Sequence, residues 1–138
     1  MESSRFQVYM MNSQPNFTKR IIAILDDHGP VLRAMTGLIE AYGARVLAYQ
    51  NGQDFLRDMP RADCLVVDYY MPNLNGLQLA VELRGRRYRA PVIILTGMRD
   101  EIPEESLAKA GIREVVDKWS GSDALLRAIE RVVGASAD

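Results

Sequence analysis

The sequence predicts an α/β fold in which helices cover both faces of a parallel sheet. Three observations support this class. Short, continuous apolar runs such as 21–25 and 91–95 recur along the chain, and such runs are typical of strands buried on both faces. Segments with apolar residues at helical spacing alternate with them. Gly, Pro and Asn mark the boundaries between the two kinds of segment.

The elements of the first half follow in order from these signals. Strand one is the apolar run that ends at Leu25. Helix one has apolar residues at helical spacing between Pro30, which suits a first turn, and Gly43, which suits a helix stop. Helix two is a short segment around Phe55, and strand three is an apolar run that reaches Val67. The predicted ranges, including strand two, are 21–25, 30–42, 45–49, 52–58 and 63–67.

The second half continues the same alternation. Helix three has Leu and Val at helical spacing, and strand four is the run PVIIL, which ends at Leu95. Helix four begins with Glu104 and Glu105, which interact favourably with the helix dipole, and Gly111 ends it. Strand five is a short apolar stretch, and Ser122 is a suitable N-cap for helix five. The predicted ranges are 74–87, 91–95, 103–110, 114–117 and 122–133.

This alternation limits the topology. Right-handed crossovers between parallel strands place helices on both faces, and a flavodoxin-like, doubly wound sheet of five strands in the order 2-1-3-4-5 is the natural solution at this length. In such sheets ligands bind beyond the carboxyl ends of the strands, here between strands one and three. We expect one folded domain over 20–134, an N-terminal extension over 1–19 and a C-terminal tail over 135–138.

Composition excludes several classes of protein. The 138 residues are 48% hydrophobic and carry a formal net charge of −1, so no global basic field indicates nucleic-acid or membrane binding. No apolar run approaches the roughly 18 residues of a membrane span. Cys64 is the single cysteine, which excludes an intrachain disulfide and argues against a zinc cluster. A cytoplasmic location fits these features. The basic run 84–89 is interpreted as a solvated helix end.

Chemically active side chains follow the predicted strands at one edge of the sheet. Asp26 and Asp27 come after strand one, and Asp68 ends strand three. Thr96 follows strand four, and Lys118 follows strand five. Because the carboxyl ends of parallel strands meet at the same edge, we expect these five side chains to converge.

Three converging carboxylates require either a strongly raised pKa or a bound cation. Two unit charges about 4 Å apart repel by about 1 kcal/mol in water and by roughly 4 kcal/mol at an effective dielectric constant of 20. Mg²⁺ suits such a site because it binds carboxylates and accepts phosphate oxygens. The cluster therefore points to phosphoryl transfer, in which the Asp68 carboxylate is the nucleophile. Lys118 would pair with one phosphoryl oxygen, and the Thr96 hydroxyl would bind another.

These residues resemble the receiver domain of bacterial two-component response regulators, over about residues 20–134. The resemblance implies that Asp68 accepts a phosphoryl group from a sensor histidine kinase or a phosphotransfer protein. It further implies that the chain catalyses only its own phosphorylation and dephosphorylation, and is not otherwise an enzyme. The matching residues, in order, are the pair Asp26-Asp27, then Asp68 with Met71-Pro72 and Gly76, then Thr96-Gly97, and last Lys118.

The resemblance also assigns ligands and an output. It implies that Asp27, Asp68 and the backbone carbonyl of Tyr70 bind Mg²⁺ directly, and that Asp26 binds it through water. Thr96 and Lys118 would transmit phosphorylation to the face formed by helix four, strand five and helix five. That face would bind a downstream target protein or a second copy of the chain in a homodimer.

Three positions stand out against the family pattern. Val115 occupies the place of the Tyr or Phe three residues before the lysine, and Trp119 replaces the proline after it. Val115 cannot act as a rotating aromatic switch, so that half of the usual mechanism is in question, and Trp119 either replaces it or covers the edge of the site. Tyr70 lies two residues beyond the nucleophile, where its ring would obstruct attacking water and slow hydrolysis of the phosphoryl group.

Other functions fit less well. A phosphatase of the haloacid-dehalogenase type needs a second acid two residues after its nucleophile, where this chain has Tyr70. A flavin carrier needs a first loop that cradles phosphate, whereas LDDHGP would repel one. A receiver that docks without phosphorylation stays open, as does the excised receiver of a longer transcriptional regulator. Since only GASAD follows Val133, we expect a stand-alone receiver whose output passes through a partner.

Overall fold

The computed structural model describes residues 14–98, 100 and 102–134. Over these residues the chain forms one five-stranded parallel sheet in the order β2-β1-β3-β4-β5, with α-helices between the strands. The predicted fold class and strand order are confirmed. The strands are β1 (Ile21–Leu25), β2 (Arg45–Tyr49), β3 (Cys64–Asp68), β4 (Val92–Thr96) and β5 (Ile112–Asp117), and the helices are α1 (Gly29–Ala41), α2 (Gly52–Asp58), α3 (Gly76–Gly85), α4 (Glu104–Lys109) and α5 (Ser122–Gly134).

The sheet separates two hydrophobic cores. Because successive side chains of a strand point to opposite faces, Ile22 and Ile24 pack with α1 and α5, whereas Ala23 and Leu25 pack with the other three helices. The central strands β3 and β4 are buried along their whole length. Cys64 is fully buried at the start of β3, and burial raises the pKa of its thiol.

Two strands end one residue later than the sequence predicts, and both end on functional side chains. β3 includes Asp68, which is opposite Leu95 in the β3–β4 register. β4 includes Thr96, which is opposite Asp117 at the end of β5. Polar residues at these positions continue the sheet because their backbones are paired, so their side chains are held by the strand rather than by a loop.

The start of α3 brings this helix close to the end of β3. Asn75 accepts a hydrogen bond from the Gln78 amide at 2.8 Å, and the Gln78 side chain accepts one from the Asn75 amide at 2.9 Å. This capping box fixes the first turn and explains why the helix begins at Gly76 rather than at residue 74. A Cβ atom on Gly76 would lie 3.0 Å from the Asp68 carbonyl oxygen, so the close approach requires glycine.

Part of the predicted N-terminal extension packs against the domain. Phe17 is buried, its amide donates to the Tyr42 carbonyl at 2.7 Å, and the two rings lie 6.4 Å apart. Pro15 is also buried. Residues 1–13 and the predicted tail at 135–138 lie outside the described residues, so the domain boundaries remain a prediction. Among the helices of the described chain, none combines the length and apolar character needed to cross a bilayer.

Candidate functional site

Three carboxylates meet at the edge of the sheet where the sequence places them. One oxygen from each of Asp26, Asp27 and Asp68 lies within 4.8 Å of the other two. Asp26 and Asp68 are buried, and Asp27 is exposed. Asp26 and Asp27 directly follow β1, and Asp68 ends the adjacent strand β3. This pairing explains why residues about 40 positions apart in the chain lie in one site.

The turn after β1 orients the acidic pair. The Asp26 amide donates to the Tyr49 carbonyl at 3.1 Å, which extends the β1–β2 pairing by one residue. Asp26 Oδ1 accepts a hydrogen bond from the His28 amide at 2.9 Å, immediately before α1. This bond turns the Asp26 side chain inwards. Asp27 is exposed at the surface of the cluster.

Lys118 supplies the positive charge inside the cluster. Its ammonium nitrogen lies 3.2 Å from Asp68 Oδ1 and 3.6 Å from Asp26 Oδ2. Both oxygens are buried, and neither has a hydrogen-bond partner among the described residues. Burial raises the pKa of Asp68, and the neighbouring Asp26 carboxylate raises it further. Lys118 and the backbone amide of Tyr70 act in the opposite direction.

The donor set fits a hard divalent cation. Two buried carboxylate oxygens without hydrogen bonds are costly unless a cation approaches them. One ammonium group faces two buried carboxylates, so the cluster keeps an excess of negative charge, to which exposed Asp27 adds. Oxygen donors of this number and kind are the ligands that Mg²⁺ uses in proteins.

Thr96 lies at the same edge, but its hydroxyl is already engaged. The residue is buried at the end of β4, next to β3. Its Oγ1 accepts a hydrogen bond from the Met98 amide at 3.1 Å, and its carbonyl accepts one from the Lys118 amide at 3.0 Å. The loop after β4 is therefore tied both to the threonine side chain and to the lysine that enters the cluster.

Tyr70 contributes to the site through its backbone. Its amide donates a hydrogen bond to the Asp68 carboxylate. Its ring is exposed and packs edge-on against Tyr69, with centroids 4.8 Å apart and planes at 90°. The role of its carbonyl as a metal ligand remains a prediction.

A model of the response regulator receiver domain matches residues 22–130 of the chain. The chain belongs to the receiver domain family. The match begins inside β1 and ends inside α5, so it spans the sheet and every residue of the acidic cluster. The predicted family is confirmed.

Individual relatives of this receiver domain are response regulators. The response regulator protein TodT of Pseudomonas putida is 32% identical over 111 residues, which are 79% of this chain and 49% of TodT. The transcriptional regulatory protein FixJ of Rhizobium meliloti is 30% identical over 127 residues, which are 88% of this chain and 62% of FixJ. The receiver domain thus spans about half to three-fifths of these two relatives.

A solved structure with the same fold is the receiver domain of the Francisella response regulator 1452. The two structures superpose with a TM-score of 0.77 at 25% sequence identity, over 86% of this chain and 99% of that one. The described part of this chain therefore has the receiver-domain fold.

Two features of the site were not predicted from the sequence. Asp26 rather than Asp27 is the buried partner of Lys118, and nothing in the adjacent pair of identical residues distinguishes them. The Trp119 indole lies against Gly97. The sequence offered a partial signal for this contact, because glycine follows the predicted strand-end threonine and tryptophan follows the predicted strand-end lysine.

Proposed function

We propose that this receiver domain is a phosphoacceptor of a two-component system, in which Asp68 is the residue that becomes phosphorylated. The observation that carries the proposal is the convergence of Asp26, Asp27 and Asp68 within 4.8 Å, with the Lys118 ammonium 3.2 Å from Asp68. Asp68 is the best nucleophile because it ends a central strand and faces both the acidic pair and the lysine.

The proposed reaction transfers a phosphoryl group from a phosphohistidine. An oxygen of the Asp68 carboxylate attacks phosphorus, and a P–O bond forms as the P–N bond breaks. The histidine nitrogen leaves with the electron pair of that bond and takes up a proton. Lys118 pairs with a phosphoryl oxygen, and the Thr96 hydroxyl, which accepts a hydrogen bond from the Met98 amide, donates one to another. Hydrolysis by water then returns the Asp68 carboxylate and inorganic phosphate, and the chain has no other catalytic activity.

Asp26, Asp27, Asp68 and the Tyr70 carbonyl would hold Mg²⁺. When bound, this ion neutralises the charge that develops on the phosphoryl oxygens. Burial and the Asp26 carboxylate raise the pKa of Asp68 and so disfavour its ionised form. A cation bound nearby would oppose this effect and favour the ionised carboxylate that the reaction needs, which supports the assignment.

Tyr70 is proposed to slow the loss of the phosphoryl group. Its exposed ring packs edge-on against Tyr69, two residues beyond the nucleophile in the chain, and we expect it to hinder the approach of water. Replacing it in Tyr70→Asn should shorten the lifetime of the phosphorylated form, and an unchanged lifetime would contradict the role.

The proposed partners are a sensor histidine kinase or phosphotransfer protein upstream and a target protein downstream, in the cytoplasm. Contacts that the phosphoryl group makes in only one of two conformations would shift the population between them. The face formed by α4, β5 and α5 would carry this change to the target or to a homodimer partner, without direct binding of nucleic acid or membrane.

The test is incubation with Mg²⁺ and acetyl phosphate, followed by intact mass measurement. We expect the parent and Asp58→Asn, which changes an exposed carboxylate, to gain one phosphoryl group. Asp68→Asn should gain none. Equal labelling of parent and Asp68→Asn, or no labelling of either, would contradict the proposal and favour a receiver that docks without phosphorylation.

A further inference from the structure

Trp119 lies directly against the loop that carries Thr96. It is the single tryptophan of the chain, and its side chain is 82% exposed. A Cβ atom added to Gly97 would lie 2.7 Å from the indole Nε1 and 3.6 Å from both Cδ1 and Cε2 of the same ring. The three nearest atoms outside the neighbouring residues all belong to Trp119, so the indole faces the position that a Cβ atom of residue 97 would occupy, although Gly97 itself is exposed.

Hydrogen bonds fix the turn from which the indole projects. The Lys118 amide donates to the Thr96 carbonyl at 3.0 Å, which ties the end of β5 to the end of β4. The Trp119 amide donates to Asp117 Oδ1 at 2.8 Å, and the Ser120 amide donates to the Asp117 carbonyl at 3.1 Å. Trp119 therefore projects from a short, fixed turn and not from a free loop.

Gly97, which the indole faces, is the central residue of the 96–98 turn that holds the Thr96 hydroxyl. The Met98 amide donates to Thr96 Oγ1 at 3.1 Å, and Gly97 connects these two residues. A change in the position of Gly97 therefore changes the position of the hydroxyl. The indole, which is packed on Gly97, limits the positions that this turn can adopt.

We propose that Trp119 is a positioning residue for phosphoryl binding, which acts by holding the 96–98 turn through the contact between its indole and Gly97. This inference rests on the proposed function, because the hydroxyl that it places is the one that binds the phosphoryl group on Asp68. Lys118, whose ammonium lies 3.2 Å from Asp68 Oδ1, is adjacent to Trp119 in the chain, so a phosphoryl group on Asp68 would alter the contacts of the residue next to the indole. Phosphorylation therefore changes the surroundings of the indole.

A double-mutant cycle on Gly97 and Trp119 tests the contact. Gly97 is not among the glycines with positive φ, so alanine suits the backbone and the indole is the obstacle. We expect Gly97→Ala to slow phosphorylation by acetyl phosphate about threefold to tenfold in the parent, and less than twofold when combined with Trp119→Ala. Trp119→Phe, which keeps a flat ring, should retain most of the parent rate. Additive effects of the two alanine substitutions would overturn the proposal.

Tryptophan fluorescence provides a readout that does not depend on phosphorylation. In EDTA, Gly97→Ala should shift the emission maximum of Trp119 while the circular dichroism spectrum stays the same. Mg²⁺ with beryllofluoride, which imitates the phosphoryl group, should shift the emission of the parent and leave Asp68→Asn unchanged. If acetyl phosphate phosphorylates the parent but beryllofluoride leaves its Trp119 emission maximum unchanged, the positioning role alone is overturned. If the parent is not phosphorylated, the proposed function itself is contradicted.

Discussion

The ammonium nitrogen of Lys118 lies 3.2 Å from Oδ1 of Asp68. The same nitrogen lies 3.6 Å from Asp26 Oδ2. Among the residues that the structure describes, no other ion pair to either carboxylate is present. One cation thus separates two buried anions, and the stability of the metal-free protein depends on it.

Removing this cation should destabilise the metal-free protein. Lys118→Met leaves two buried carboxylates without their ion pair, and we expect a loss of about 2 kcal/mol in the free energy of unfolding in EDTA. This figure is below the usual cost of breaking a buried pair because the lysine is partly exposed. Mg²⁺ should restore part of the loss. Urea unfolding of Lys118→Met and of Lys109→Met, an exposed control at the end of α4, measures the difference, and equal stability of the two variants would contradict the expectation.

Asp68→Asn should stabilise the metal-free protein at neutral pH. Burial raises the pKa of Asp68 above the value of about 3.9 in an unfolded chain. The native state therefore binds the proton more tightly, and the stability of the parent falls as pH rises through the interval between the two pKa values. The penalty applies where the native carboxyl group is ionised, so the variant should gain on the order of 1 kcal/mol at neutral pH.

The pH dependence of that gain provides its control. Urea unfolding in EDTA should show the advantage of Asp68→Asn disappearing below about pH 4, where the carboxyl group is protonated in both states. Asp58→Asn should give no gain at neutral pH, because hydrogen bonds from Arg57 and Tyr49 lower the pKa of Asp58. A variant that is less stable than the parent at pH 7 would show that the Asp68 charge is fully compensated.

Asp27 should affect metal binding but not the stability of the metal-free fold. Its side chain is exposed, so Asp27→Ala should change the free energy of unfolding in EDTA by less than about 0.5 kcal/mol. Mg²⁺ at ten times its dissociation constant should stabilise the parent by about 1.4 kcal/mol, and this gain should be lost in the variant. Thermal unfolding with and without Mg²⁺ measures both effects. Asp123→Ala, an exposed acid on α5, should keep the full response.

Arg84 should be a stabilising residue remote from the site. It was interpreted from the sequence as part of a solvated helix end, but its guanidinium group is partly buried and donates to the Tyr88, Ala90 and Gly111 carbonyl oxygens. Lysine cannot reproduce this planar set of donors, so Arg84→Lys should lower the free energy of unfolding by about 2 kcal/mol. Arg86→Lys, at an exposed ion pair with Glu82, should cost less than about 0.5 kcal/mol.

The phosphorylation assay separates this effect from the chemistry. Arg84→Lys should label with acetyl phosphate at the rate of the parent at a temperature where both are folded. A slower rate under those conditions would mean that the contacts of Arg84 reach the acidic cluster.

Local sequence patterns were sufficient to predict the fold and the position of the cluster. The apolar runs around Ile22 and Val66 are typical of strands buried on both faces of a sheet, and they are buried in the structure. Alternation with helices, together with the length of the chain, favours the strand order that is observed. Asp68, Thr96 and Lys118 come at strand ends, so the topology alone brings them to one edge. These predictions depend on the course of the backbone, and the periodicity of apolar residues along the sequence is a good guide to it.

Features that depend on side-chain contacts between distant segments could not be predicted. Phe17 lies in a polar stretch without periodicity, and its burial depends on the space beside Tyr42. The role of Arg84 depends on carbonyl groups that converge only after β4 and β5 have paired. Asp26 and Asp27 are identical in type and adjacent, and the hydrogen bond from the His28 amide is what separates their roles.

The burial of Cys64 has a practical consequence. As the lone thiol of the chain, enclosed within β3 with a raised pKa, it offers little thiolate for alkylation by maleimide or iodoacetamide reagents. A cysteine introduced on the surface of α4 or α5 would therefore be labelled selectively in the otherwise native sequence. One such cysteine on each of the two helices, carrying spin labels or fluorophores, would report the distance between α4 and α5 before and after phosphorylation.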